Sequence, residues 1–267
     1  MVRQKLINRA AALKIIPSLQ GIIGTVIRIL NDANSSVDDL SGVIRYDLSL
    51  SSKIISIANS VFYSRGTEIF SLPQAIINIG FQQTKSIIVC LLFMENIRKS
   101  LKLKDEDMLT FWKHSIHVAC SAKILSEKTL AEEPHKAYIS SLLHDIGKIV
   151  FYAEVDNYSS IVCGADTNGN SLNKIENSMF GIDHQEIGHV IAVKWKLPEA
   201  ISCVIRYHHE QPFEEKYKHL VKITQTADRF LINPDYYTDP ENLILLKEKR
   251  NIEMEIKKNM EVLNIHC

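Results

Sequence analysis

The sequence predicts an all-α protein. Apolar residues recur at spacings of three and four along almost every segment, as in the stripe of Ile22, Ile23, Val26, Ile27 and Leu30. This spacing places them on one face of a helix. Alternation of apolar and polar residues, which is typical of a half-buried strand, is nearly absent. Helix-capping signals accompany the stripes. These three observations favour stacked helices without a sheet.

The N-terminal region is predicted to be a stack of short helices. Ser36 and Asp39 have the spacing of a capping box ahead of an apolar stretch. Ser71, followed by Pro73, predicts the start of a helix that ends at Gly80. The apolar spacing indicates helical stretches at about 50–59, 74–79 and 82–97.

A charged connection at 99–108 separates this region from a second helical lobe. The stretch 157–169 is predicted to be a loop. The C-terminal tail carries one apolar stripe, which predicts a terminal helix that packs on the rest of the protein. We therefore predict an N-terminal helical lobe at 1–104, a second lobe at 105–233 and a helical tail at 234–267. The helices predicted in the second lobe are 109–128, 135–154, 171–179, 183–195, 198–209 and 217–231.

Composition excludes several classes of protein. The 267 residues are 46% hydrophobic and 23% charged with zero net charge, which is typical of a folded globular chain. Zero net charge argues against a broad basic surface for nucleic acid. No apolar run approaches the ~20 residues of a membrane span, and we read no export signal at the N-terminus. Five scattered cysteines without a CxxC pair indicate reduced thiols, so we expect a cytoplasmic protein.

Histidine and aspartate residues of the second lobe predict a metal site. His144 and Asp145 are adjacent in LLHDIGK, and a second carboxylate oxygen of Asp145 could bridge to another ion. Imidazole and carboxylate groups are ligands for Zn, Mn or Fe, and a two-metal centre can activate water and clamp a phosphoryl oxygen. The seven candidate ligands are His114, His144, Asp145, His184, His208, His209 and Asp228.

Lys148 lies three residues beyond Asp145, on the same helix face. It could offer a positive charge to a phosphate, or it could be a solvated surface lysine, and spacing does not separate the two readings. His117 is at best a neighbour of the ligands. The remaining histidines are read as ordinary polar or partly buried residues: His135, His189, His219 and His266.

These motifs carry a resemblance. The order of the histidine and aspartate motifs resembles that of the HD superfamily of metal-dependent phosphohydrolases. The motifs are a histidine in WKHS, then HDIGK, DHQEIGH, HHE and a later AD. The N-terminal segment that begins IPSLQGIIGTVIRIL, together with SLPQAIINIGFQQTKSII, resembles the HDOD family, and the likeness covers about 16–228. The resemblance implies an HD-superfamily helical domain preceded by a small helical lobe, in a bacterial signalling protein.

The resemblance also assigns roles to residues. The seven candidate ligands occupy positions similar to the metal ligands of HD-GYP phosphodiesterases, and Lys148 matches the lysine of their HDIGK run. The segment after His209 reads EQPFEEKY and has no GYP motif. Its absence argues against hydrolysis of cyclic di-GMP.

Three functions are consistent with the sequence. The favoured hypothesis is a regulatory module that acts through protein interactions, with a sensor, kinase or cyclic-nucleotide enzyme as partner and a metal-occupied HD site. The alternative is a phosphohydrolase with one or two Fe, Mn or Zn ions, in which Asp145 and Lys148 are catalytic. Nucleic-acid binding by the helices near 71–86 is disfavoured because Lys85 is the only cation there. The oligomeric state stays open.

Overall fold

The computed structural model describes residues 2–13, 25–26, 29, 32, 34–64, 66–101, 103–168, 171–210, 215–232 and 239–265. Every regular element within these ranges is helical, which confirms the predicted all-α fold. A 3-10 helix at Glu215–Tyr217 precedes α13. The α-helices are α1 Val2–Ala12, α2 Val37–Ile44, α3 Leu48–Ala58, α4 Leu72–Ile79, α5 Phe81–Ser100, α6 Asp105–Thr129, α7 Pro134–Leu142, α8 Lys148–Glu154, α9 Tyr158–Asn168, α10 Leu172–Phe180, α11 His184–Lys194, α12 Glu199–Tyr207, α13 Lys218–Ile232, α14 Pro240–Lys247 and α15 Lys249–Val262.

Helix ends in the N-terminal region follow the sequence signals. The Ser36 hydroxyl accepts from the Asp39 amide at 3.2 Å, and the Asp39 carboxylate accepts from the Ser36 amide at 2.9 Å. The predicted capping box is therefore confirmed. Ser71 precedes α4, with Pro73 in its first turn, although the Ser71 side chain makes no capping hydrogen bond. Gly80 ends α4 with φ 96°, a left-handed value that favours glycine.

A small unit comprises residues 15–99 and 258–266. In it, α2 and α3 pack against α4. Leu40, Ile44, Ile54 and Ile76 are fully buried in these helices, so the apolar faces that the spacing predicts form its core. Val26 is helical and buried. The other members of its stripe lie outside the described residues: Ile22, Ile23, Ile27 and Leu30.

A large unit comprises residues 1–14, 100–257 and 267. Its long helix α6 packs against α7 and α13, and buried Val118, Leu125 and Val221 lie in the shared core. Helix α1 also belongs to this unit and packs on α8 and α11 through buried Leu6 and Ala10. The division of the chain at 104 and 233 suggested by the sequence stays a prediction.

Two predicted elements differ in the structure. The stretch 135–154 is not one helix, because α7 ends at Leu142 and α8 begins at Lys148. The stretch 157–169, predicted to be a loop, contains α9. Its polar sequence carries few apolar residues, but Tyr158 and Ala165 are buried, so tertiary packing holds a helix that periodicity does not reveal.

In the described part of the chain, no single helix has both the length and the apolar character needed to cross a membrane. The pair α4 and α5 combines sufficient length with sufficient apolar character only when the two helices are taken together, and it is bent by 107°.

Candidate metal centre

Five segments of the large unit carry the predicted donors to one place. The donors come from α6 (His114), the turn between α7 and α8 (His144 and Asp145), the first residue of α11 (His184), the end of α12 (His208 and His209) and α13 (Asp228). Five of them are buried. His114 and His209 keep 24% and 25% of their side chains accessible, so one edge of the cluster reaches solvent.

The HD pair lies in a tight turn. The amide of Ile146 donates to the carbonyl of Leu143 at 3.1 Å, and the amide of Lys148 donates to the carbonyl of Asp145 at 2.9 Å. These bonds between residues three apart wind residues 143–147 more tightly than an α-helix. The side chains of His144 and Asp145 consequently leave the turn at the junction of two helices.

Two glycines allow the backbone of α11 to lie against this turn. A Cβ atom on Gly147 would lie 1.9 Å from the carbonyl oxygen of His184 and 2.6 Å from the amide nitrogen of Gly188. A Cβ atom on Gly188 would lie 2.6 Å from the side chain of Ile205. The G of HDIGK and the G of HQEIGH are therefore close-approach positions, and they bring His184 beside the HD pair.

The first donor group consists of Asp145, His184, His208 and His209, whose ligand atoms lie within 4.8 Å of one another. The Nε2 atoms of His184 and His208 are 3.1 Å apart. Each lies 3.4 Å from Oδ1 of Asp145. That oxygen is buried, and no described residue donates a hydrogen bond to it.

The second donor group consists of His114, His144 and Asp228, again with ligand atoms within 4.8 Å of one another. The Nε2 atoms of the two histidines are 3.3 Å apart. Oδ2 of Asp145 lies 3.0 Å from His114 and 3.3 Å from His144. The two oxygens of Asp145 therefore face different donor groups, an arrangement that suits a carboxylate between two ions.

The histidine tautomers leave lone pairs directed at one another. The Nδ1 atoms of His144 and His208 lie 2.6 Å and 3.0 Å from the carbonyl oxygens of Ser141 and Ile205. A carbonyl oxygen only accepts, so each Nδ1 carries a proton, and either ring in its neutral form presents a bare Nε2 to the site. Because the neighbouring Nε2 of His184 is 3.1 Å from that of His208, a proton or a cation between them relieves the repulsion. The donor set therefore fits a divalent metal ion.

The charges of the site are strongly coupled. Burial opposes a charge on His114, but hydrogen bonds to Asp145 and Asp228 raise the pKa of His114 to about 9. Burial lowers the pKa of His208 to about 4, although the nearby carboxylate of Asp145 favours the charged form of the ring. Burial also opposes ionisation of Asp145, yet the charges of His144 and Lys148 hold its pKa well below the ordinary range. At neutral pH the site thus offers an ionised carboxylate at Asp145 and a neutral imidazole at His208, whereas His114 holds a proton that a bound cation would displace.

Lys148 begins α8 and lies beside the centre, with 12% of its side chain accessible. Its Nζ is 2.5 Å from Oδ2 of Asp145. Burial opposes the charge on Lys148, but the carboxylates of Asp145 and Asp228 raise its pKa above the ordinary value. Of the two readings left open by spacing, the solvated surface lysine does not describe this position.

Sequence reasoning missed Glu176 and Tyr158. Glu176 is fully buried on α10, and its Oε2 lies 2.6 Å from Nδ1 of His184. Its other oxygen accepts a hydrogen bond from the Tyr158 hydroxyl. Glu176 is eight positions before His184, which is not a helical contact spacing, and Tyr158 lies in the stretch predicted to be a loop. No local pattern could have identified either residue.

All seven predicted ligands and Lys148 therefore lie in one cluster. Residues 16–211 match the sequence model of the HDOD domain. The chain belongs to the HDOD family. This membership agrees with the resemblance found in the sequence, and the match spans most of the small unit and most of the donor cluster.

Solved HDOD-like structures share the fold. An HDOD domain protein of unknown function from Geobacter sulfurreducens is 22% identical, with a TM-score of 0.75, and the alignment covers 97% of this chain and 98% of that one. A candidate phosphohydrolase from Shewanella amazonensis SB2B is 20% identical, with a TM-score of 0.69 and 97% of each chain covered. A candidate signal transduction protein from Marinobacter aquaeolei VT8 is 18% identical, with a TM-score of 0.70, over 98% of this chain and 62% of that one.

A curated relative is longer. An uncharacterized protein of Treponema pallidum (strain Nichols) is 23% identical over 225 residues, which are 81% of this chain. The match spans only 42% of the length of that protein. This chain therefore spans less than half the length of the curated relative that it matches.

Proposed function

We propose that this chain is a regulatory HDOD module whose large unit binds one or two divalent metal ions. The observation that carries the proposal is the placement of Asp145, whose two oxygens face two separate groups of imidazole Nε2 atoms. Fe, Mn or Zn suits this mixture of imidazole and carboxylate donors. The residues that would hold the ions are His114, His144, Asp145, His184, His208, His209 and Asp228.

Exposed apolar residues support a role in protein interaction. Among the described residues, the small unit exposes Tyr46, Leu48, Val61, Phe70 and Ile77, each at least 66% accessible. Exposed apolar groups mark a protein-binding surface where they form one contiguous patch. We therefore propose a cytoplasmic signalling protein as partner, such as a sensor, a kinase or a cyclic-nucleotide enzyme.

A second candidate function is metal-dependent hydrolysis of a phosphoester, in line with the description of the Shewanella relative as a candidate phosphohydrolase. The position of Lys148 favours it, because its ammonium group lies beside Asp145 and near the accessible edge formed by His114 and His209. A bound metal ion would supply Lewis-acid activation of water and of the phosphoryl group. Lys148 would steady negative charge on the phosphate, and Asp145 would position the ions.

Metal content and turnover, measured together, test these functions. Purified protein and its Asp145→Ala variant are analysed by inductively coupled plasma mass spectrometry and assayed with bis(p-nitrophenyl) phosphate. Metal in the parent alone, without turnover in either protein, is the result expected of the regulatory module. Chelator-sensitive turnover that disappears in Asp145→Ala would establish the hydrolase instead. Equal and negligible metal in both proteins would refute metal binding.

A further inference from the structure

Glu176 is arranged as an acceptor on both of its oxygens. Oε2 lies 2.6 Å from Nδ1 of His184 and accepts from the backbone amide of the same residue at 2.9 Å. Oε1 accepts from the hydroxyl of Tyr158. Tyr158 is itself fixed, because it is 1% exposed and its ring stacks on Phe151 with centroids 5.2 Å apart. A carboxylate held at both oxygens in this way has one orientation.

We propose that Glu176, oriented by Tyr158, is a positioning residue that fixes His184 as a metal ligand and makes the first donor group the tighter of two metal sites. Accepting the proton of Nδ1 leaves Nε2 of His184 as the bare nitrogen that faces His208. The negative charge behind the ring also raises its basicity as a ligand. This inference rests on the proposed metal binding and deepens it.

The second donor group lacks an equivalent support. Nδ1 of His144 is held by the carbonyl of Ser141, but in the described part of the chain no hydrogen bond reaches Nδ1 of His114. His114 is also 24% accessible, whereas His184 and His208 are buried and both are held at Nδ1. The first group therefore has two preoriented rings, those of His184 and His208, whereas the second group has one, that of His144. Preorientation lowers the cost of binding, so the two affinities should differ.

The test uses the full-length chain stripped of metal and titrated with Mn²⁺ and Zn²⁺, each alone, by isothermal calorimetry. Glu176→Ala should weaken the tighter of two binding steps by roughly 10- to 100-fold and leave the weaker step unchanged. Glu176→Gln, which keeps an acceptor oxygen without the charge, should recover part of the loss. Tyr158→Phe should weaken the same step by about fivefold, the value of one hydrogen bond. Asp228→Asn should weaken the other step, and Ser178→Ala, an exposed change on α10, should alter neither.

A second measurement follows the tautomer directly and guards against a folding defect in Glu176→Ala. Long-range ¹H–¹⁵N spectra of histidine-labelled protein should place a proton on Nδ1 of His184, with a downfield shift that moves upfield in Glu176→Gln. Unchanged Mn²⁺ and Zn²⁺ affinities in folded Glu176→Ala, or a proton-free Nδ1 in the parent, would overturn the inference while leaving metal binding intact. A parent that takes up neither ion would overturn both.

Discussion

Gly147→Ala tests whether close backbone packing builds the metal centre. Gly147 has φ −64° and ψ −29°, which alanine adopts without strain, so the substitution acts only through the space it needs. The new Cβ atom would lie 1.9 Å from the carbonyl oxygen of His184, whereas ordinary contact begins at 3.4 Å. The start of α11 must therefore move by the difference, about 1.5 Å. A shift of that size cannot preserve both the 2.6 Å contact of His184 with Glu176 and the 3.1 Å contact with His208.

The expected cost is about 2–3 kcal/mol in the free energy of unfolding, toward the upper end for overpacking, because backbone rather than a flexible side chain must move. In a protein of this size that cost lowers the melting temperature by roughly 5–10 °C. Metal affinity should fall by roughly 10- to 100-fold, as it does when a ligand loses its supporting contacts. Thermal melts followed by circular dichroism, in chelator and in Mn²⁺, measure the two effects separately.

Gly42→Ala is the matched control. Gly42 lies within α2, and a Cβ atom there would meet no heavy atom within 4 Å. Because alanine has the higher helix propensity, the substitution should add up to about 1 kcal/mol to the free energy of unfolding. The melting temperature should therefore stay unchanged or rise. If Gly147→Ala melted at the temperature of the parent and took up metal equally well, the close approach of α11 to the HD turn would not be what forms the site.

Three further predictions concern single side chains. Asp145→Asn keeps the size of the side chain but removes the charge shared by both donor groups. The affinity for metal should fall by at least 10- to 100-fold, which lowers the metal content measured by mass spectrometry. A metal content equal to that of the parent would contradict the bridging position. In chelator, His208 contributes stability that is present above pH 6.5 and is lost as the pH falls toward about 4, because the unfolded chain binds that proton first. The urea midpoint of the parent should therefore drop more steeply over this interval than that of His208→Asn, and parallel curves would refute the assignment. Asp183→Ala removes the carboxylate that accepts a hydrogen bond from the Glu186 amide at 2.9 Å. Loss of this N-cap should lower the free energy of unfolding by about 1–2 kcal/mol, measured by thermal denaturation in the presence of chelator. A decrease of less than a few tenths of a kcal/mol would show that α11 does not need the Asp183 cap.

Much of the helical architecture could be predicted from local patterns. Ser36 with Asp39 and the glycine at Gly80 mark real helix ends, because capping depends on residues only a few positions apart. The stripe in the tail is likewise real, since Ile252 is buried on α15. The helix α9 escaped prediction because its stability comes from a few buried contacts, including that of Tyr158, rather than from an amphipathic repeat.

The identity of the donors was also available from the sequence, whereas their arrangement was not. Residue type alone defines His144 and Asp145 as possible ligands, and the N-terminal segment carries the resemblance to the HDOD family, to which the chain belongs. Predicting one helix over 135–154 placed them on a regular helix, where adjacent side chains diverge by about 100°. The observed turn between α7 and α8 instead directs both oxygens of Asp145 into the cluster.

The sequence by itself determined that this chain is helical, where several of its helices begin and end, and which chemical groups are available to a metal ion. Only the tertiary structure decided that donors from five segments meet and that Glu176 supports His184. The physical reason is the separation along the chain of the residues that interact. Helix spacing and capping are interactions between near neighbours along the chain, while the contact of Gly147 with the backbone of His184 joins residues 37 positions apart and exists only after α11 has packed on the HD turn.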